Sequence, residues 1–193
     1  RIGPCKDFHP SVDARMPSDP ESAAVIRDLR TQLAKVRADK MVGRYKDALP
    51  GAALVANAAA ARGLRGLEGE ALLLHGTLQM YLADVETAER TLQRASLAAD
   101  AAADDRIRAN AQATLLYMVG LNMAGSREKF DRVDSYQAEV SAIIDRLGGD
   151  DELTIELGDT LGVARCAQER FDEARHIQVA ALALAEKVYG AES

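Results

Sequence analysis

An all-α fold of about four antiparallel helix hairpins is what this sequence predicts, and three observations carry the prediction. Alanine, the strongest helix former, occurs 36 times in 193 residues, while Trp is absent and Phe and Tyr number three and five. Glycines and helix-capping residues interrupt the chain at intervals of about one helix. One frame of small and bulky residues recurs along it, the mark of stacked units that each touch only their neighbours.

The elements follow in order. Residues 1–19 carry Pro4, Pro10 and Pro17 without sustained periodicity and read as an extended lead-in or linker. A repeat domain is expected over 20–193, opened by Asp19 as N-cap and Pro20 at the first helical position, where a missing N–H costs nothing. Helices are expected at 20–42, 46–62, 66–82, 85–101, 105–124, 127–147, 151–168 and 171–189. Gly43, Gly63, Gly125, Gly148, Gly149 and Gly190 sit at the breaks, and Asp84, Ser126 and Asp150 can cap the helices that follow. Pro50 is expected within about the first turn of the second helix, where it is tolerated. Connections this short force consecutive helices into antiparallel hairpins. No segment alternates with period two, so no sheet is expected.

The repeat shows in three segments: GRYKDALPGAALVANA from Gly43, ADVETAERTLQRASLA from Ala83 and ERFDEARHIQVAALAL from Glu169. Each places Tyr45, Val85 or Phe171 three residues before Ala48, Ala88 or Ala174, with Val55, Ala95 or Ala181 seven further on. Spacings of three and seven lie on one helix face. Gly76 precedes Ala88 by 12 residues and Gly162 precedes Ala174 by the same 12, with Leu72 and Leu161 on the matching apolar face. The expectation is that each glycine admits the alanine of its partner helix while the bulky residue fixes the angle between them. A degenerate third unit has Phe130 and Val133 in these places.

This pattern resembles the tetratricopeptide repeat, a helix-turn-helix unit whose arrays form a right-handed superhelix. The alanine positions recur at 40, 45 and 41 residues, and with the ending LALAEKVYG at 182–190 they are similar to the longer, kinesin-light-chain variety. In order, Cys5 in a Pro-containing lead-in, RDLRTQLAKVRADKMVGRYKDALP, LEGEALLLHGTLQMYLADVETAERTLQRA, LLYMVG and DRLGGD resemble the region after the catalytic domain of large myxobacterial-type serine/threonine protein kinases. That resemblance covers nearly the whole chain and departs from it by about one extra helical turn near 121–126, in the third hairpin.

No kinase element is present: no Gly-rich phosphate loop, V-A-I-K-like lysine, H-R-D or D-F-G. GLRGLEG at 63–69 has the wrong spacing for a dinucleotide loop and reads as an interhelical turn. His9, His75 and His176 are scattered, Cys5 and Cys166 are far apart, and neither a metal site nor a cofactor is expected. The acids at 104–105 and 150–152 suit helix starts better than acid–base chemistry. A net charge of −6 lacks the basic footprint of a nucleic-acid binder, and no apolar run is long enough to span a bilayer. The chain opens at Arg1 without Met or a signal peptide and reads as a piece of a longer protein, with the cytoplasm favoured.

The remaining function is binding. In the family the first helix of each hairpin lines a concave groove, and the resemblance maps that groove onto Arg30, Leu33, Arg37 and Lys40, then Glu70, Leu73, Thr77, Met80 and Tyr81, then Glu156, Asp159, Val163, Cys166 and Ala167. Residues 1–65 carry a net +5 and residues 66–193 a net −11, so a charged protein or peptide segment would be held in a preferred direction. The alternative is a sensor pocket closing on a small ligand or short peptide, and ligand-induced change in curvature separates the two. A last expectation is end-to-end association of copies, because Ile177, Ala181, Leu184 and Val188 form an apolar stripe on the final helix.

Overall fold

The structure is a computed structural model that describes residues 19–121 and 127–190, with 127–129 by backbone alone. Eight helices follow: α1 Pro20–Met41, α2 Tyr45–Ala60, α3 Arg65–Tyr81, α4 Val85–Ala101, α5 Asp105–Leu121, α6 Arg127–Arg146, α7 Asp151–Ala167 and α8 Phe171–Tyr189. Among the described residues there is no strand, and each expected helix is found within about a turn of its expected bounds. The lead-in before Asp19, the extra turn near 121–126, Gly125 and Ser126 lie outside the described residues, Leu121 excepted.

Local signals explain most helix ends. Asp19 accepts from the Ser22 amide at 2.8 Å and Asp150 from the Leu153 amide at 3.0 Å. Asp84 makes no such bond, whereas Asp104 caps α5 through the Ile107 amide at 3.0 Å. Where no glycine ends a helix, an ordinary residue takes the left-handed conformation: Ala83 (φ 62°), Ala103 (φ 52°) and Glu169 (φ 61°). Pro50 lies deeper in α2 than the first turn, and its ring leaves the Lys46 carbonyl without the usual helical donor.

The hairpins α1–α2, α3–α4, α5–α6 and α7–α8 stack in sequence, the second helix of each packing on the first helix of the next. The first helices also meet in order, α1 with α3, α3 with α5 and α5 with α7, whereas among the described residues the backbones of the second helices stay apart, α4 and α6 meeting through side chains such as Glu89 and Arg132. An inner layer in contact and an outer layer spread apart make a curved all-α solenoid.

The small positions of the repeat are at its core: Ala48, Ala88, Val133 and Ala174 are at most 1% exposed. The closest approach of each glycine is not to those alanines, however. A Cβ on Gly76 would stand 2.6 Å from Leu92 Cγ, and one on Gly162 would stand 2.4 Å from Gln178 Cγ, each one turn beyond the alanine. In the first hairpin the sizes are exchanged, with the bulky Val36 on α1 opposite Gly51 on α2. The bulky position is not the angle-setting wedge either, since Phe171 is 64% and Val85 37% exposed. Tyr45 packs forward instead, stacking on Tyr81 at the end of α3 with ring centroids 4.7 Å apart.

The third hairpin departs from the frame. Gly120 turns to the next unit, where a Cβ would lie 2.8 Å from Ala164 Cβ on α7, so α5 and α7 approach closely. α6 is joined to its surroundings by guanidinium groups: Arg132 pairs with Glu89, Arg146 with Asp105, and the buried Arg165 of α7 donates to Asp134 and Gln137, both at 2.8 Å.

Three residues of the expected stripe on α8 turn inward, while its last, Val188, is exposed. Ile177 packs on the core, Ala181 faces Gly158 and Leu184 is half-buried on the same side, while Val179 and Leu182, both 59% exposed, face outward with Phe171. The reason is that α8 must cover α7 with its three-and-four-spaced stripe before anything else.

Candidate functional site

The concave side of the inner layer holds a cavity of about 660 Å³ to which α1, α3, α5 and α7 all contribute. Of the residues expected on a groove, Arg37 and Lys40 come from α1, Glu70, Leu73, Thr77, Met80 and Tyr81 from α3, and Glu156 and Asp159 from α7. Helical spacing of three and four brings each set to one face.

The other expected positions lie elsewhere. Leu33 is 1% exposed and belongs to the core stripe Ile26, Leu29, Leu33 and Val36 that α1 buries against α2. Arg30 is exposed a helical turn or more from the cavity lining, Val163 is half-buried, and Cys166 and Ala167 are exposed beyond it. The cavity takes the C-terminal end of α1 but the N-terminal half of α7, so the later positions on α7 overshoot it. Cys166 is a free thiol.

Sequence reading missed the contribution of α5: Ile107, Asn110, Thr114 and Tyr117. The degenerate third unit hid them, although Tyr117 follows Tyr81 by 36 residues, close to one repeat. Met41, Leu74 and Thr160 complete the wall.

The threonines have already spent their protons. Thr77 donates to the Leu73 carbonyl at 2.8 Å, Thr114 to the Asn110 carbonyl at 2.8 Å and Thr160 to the Glu156 carbonyl at 2.9 Å, which leaves them as acceptors. Asn110 carries a buried Oδ1 that has no hydrogen-bond partner. The electrostatics are therefore set by the charged side chains and the tyrosines.

Arg37 is paired with Glu70 across α1 and α3. Lys40 lies with its Nζ 5.8 Å from the Tyr81 ring centroid, on a ring that also stacks on Tyr45. Burial holds the Lys40 ammonium below its ordinary pKa, against the opposing pull of Glu156, and Arg37 adds to the depression. Burial holds the Glu156 carboxyl above its ordinary value, with Lys40 and Arg106 lowering it and Asp159 raising it. Glu156 stays exposed to solvent on the cavity wall, so the effect of burial on it is small. Burial likewise raises the Tyr81 hydroxyl, with Tyr45 and Tyr117 adding to the effect.

No protein-family model matches this chain, and no curated protein matches it. The family resemblance thus rests on the residues of the chain alone. Among the described residues no three His, Cys, Asp or Glu side chains gather where a metal ion could be held, and no helix is long and apolar enough to cross a membrane. His75, the histidine of the α3 seam, is half-buried, and burial with Arg94 lowers its pKa. What the cavity offers chemically is recognition: separated charges, stacked aromatic rings and hydrogen-bond acceptors on a fixed scaffold.

Proposed function

We propose that this chain is a non-catalytic binding module of tetratricopeptide type, belonging to a bacterial serine/threonine protein kinase, that holds a protein or peptide segment in its concave groove. The observation that carries this reading is the cavity itself, to which the first helix of every hairpin contributes and in which charged side chains from the first and last hairpins face one another. A groove walled by four parallel elements suits an extended chain, whose side chains can be read one helix at a time. The kinase parent rests on the segment-by-segment resemblance from Cys5 to the Gly-Gly-Asp at 148–150.

The test is hydrogen–deuterium exchange on the chain with and without a candidate partner segment. Slowed exchange along α3 and α5 supports the reading, and protection confined to the outer helices or to α8 removes it. Isothermal calorimetry with MgATP should show no stoichiometric binding, because no phosphate-handling motif is present.

A second reading is favoured by the size of the cavity, whose 660 Å³ falls in the range of pockets that enclose small molecules. In that case the module is a sensor, and ligand binding would change its curvature. Small-angle scattering separates the two readings: a change in radius of gyration on saturation marks the sensor, and an unchanged scaffold marks the docking module.

A further inference from the structure

The groove is not merely charged; its unsatisfied charge is dipolar. Arg37 and Glu70 neutralise each other, so the formal charges left without an ion-pair partner in the cavity are Lys40 on one wall and Glu156 and Asp159 on the opposite one. Lys40 and Glu156 lie near enough to shift each other's titration and yet form no ion pair. Lys40 is half-buried, and a charge taken partly out of water is costly until an opposite charge meets it, while Glu156 and Asp159 stand exposed to an incoming cation. The two signs come from the first and the last hairpin, with α3 and α5 between them. A single ion at either wall would leave the other unmatched. An all-acidic segment would meet Glu156 and Asp159, and an all-basic one would meet Lys40.

We propose that the groove selects an extended peptide segment of mixed charge, seated with an acidic side chain at Lys40 and a basic side chain at Glu156 and Asp159, so that only one chain direction is accepted. This inference rests on the peptide-groove reading above. Between its ends the segment passes the rings of Tyr81 and Tyr117 and the acceptor oxygens of Thr77 and Thr114, which can take backbone N–H groups without imposing sequence. Specificity then arises as much from the repulsion of the reversed segment as from attraction of the correct one.

The experiment is selection from a displayed library of random short peptides on the immobilised wild-type chain and, in parallel, on the double variant Lys40→Glu with Glu156→Lys. The wild type should enrich peptides with an acidic and a basic residue in one constant order, and the double variant should enrich the opposite order. A synthetic peptide of the wild-type class, followed by fluorescence anisotropy, should bind roughly tenfold more weakly to Lys40→Gln and to Glu156→Gln. Enrichment without a charge order, or the same order on both proteins, overturns the inference.

Thr114→Arg, which fills the cavity, distinguishes that failure from failure of the groove reading. Peptides lost on Thr114→Arg but lacking a charge order leave the groove reading standing. Peptides that still bind Thr114→Arg overturn both, as does a selection that enriches nothing. Circular dichroism establishes that the variant is folded, and if it is not, protection of α3 and α5 amides by the bound peptide in the wild type decides the same question.

Discussion

The Cβ that Gly76 lacks would stand 2.6 Å from Cγ of Leu92, so the two helices of the second hairpin are as close as they are because one residue has no side chain. Leu92 is fully buried and cannot retreat. Gly76→Ala should therefore cost about 1–3 kcal/mol of stability despite the better helix propensity of alanine. Thermal denaturation checks this, and adding Leu92→Ala to Gly76→Ala should cost less than the two changes summed. At the equivalent place Gly162 faces Gln178, whose exposed side chain can swing away, so Gly162→Ala should cost less than Gly76→Ala.

Ala83 and Ala103 end their helices with φ of 62° and 52°, a conformation that alanine enters at an expense of about 1–2 kcal/mol. Glycine does not carry that strain, although it frees the unfolded chain. Ala83→Gly and Ala103→Gly should each raise stability by up to about 1 kcal/mol in denaturant titrations. A loss of that size would mean that the left-handed turns are held by contacts their conformation does not reveal.

Burial raises the Glu156 pKa above its ordinary 4.5, while Lys40 and Arg106 oppose the shift and Asp159 reinforces it. The folded chain thus binds this proton more tightly than the unfolded one. The associated stabilisation is fully present below the unfolded value of 4.5 and is lost as pH rises through the raised folded one. Glu156→Gln should consequently melt higher than wild type at neutral pH, with the difference shrinking as the pH falls to 4.5. Melting curves across that window, with wild type and variant side by side, test the sign.

On α8 the inward Leu184 and the outward Leu182 should respond oppositely to a charge. Leu184→Glu places a carboxylate against α7 and should lose about 2 kcal/mol or more. Leu182→Glu should leave the melting temperature nearly unchanged and reduce concentration-dependent association in sedimentation runs. Association that persists in Leu182→Glu would show that copies meet elsewhere.

Much of this molecule is written in short-range sequence. Alanine content, glycine breaks and the caps at Asp19 and Asp150 determine eight helices, and the brevity of the turns determines their hairpins, because both depend on backbone conformation within a few residues. The α3 positions that the resemblance mapped, Glu70, Leu73, Thr77, Met80 and Tyr81, do line the cavity, because they lie on one side of a single helix.

What the sequence did not determine are the distances over which whole hairpins slide and turn. Leu33 is core rather than groove because α2 covers that side of α1, and Val163 and Cys166 overshoot the cavity because α7 enters it by its N-terminal half. The contact of Gly120 with Ala164, and with it the placing of Asn110 and Tyr117, follows from a packing choice between α5 and α7 that no local pattern encodes. A helix presents several ridges of similar size to its neighbours, and only the joint packing of all eight selects one. Tertiary structure alone decided that Arg37 is neutralised by Glu70 while Lys40, Glu156 and Asp159 line the cavity without an ion-pair partner, since an ion pair needs atoms in contact and a net charge specifies none.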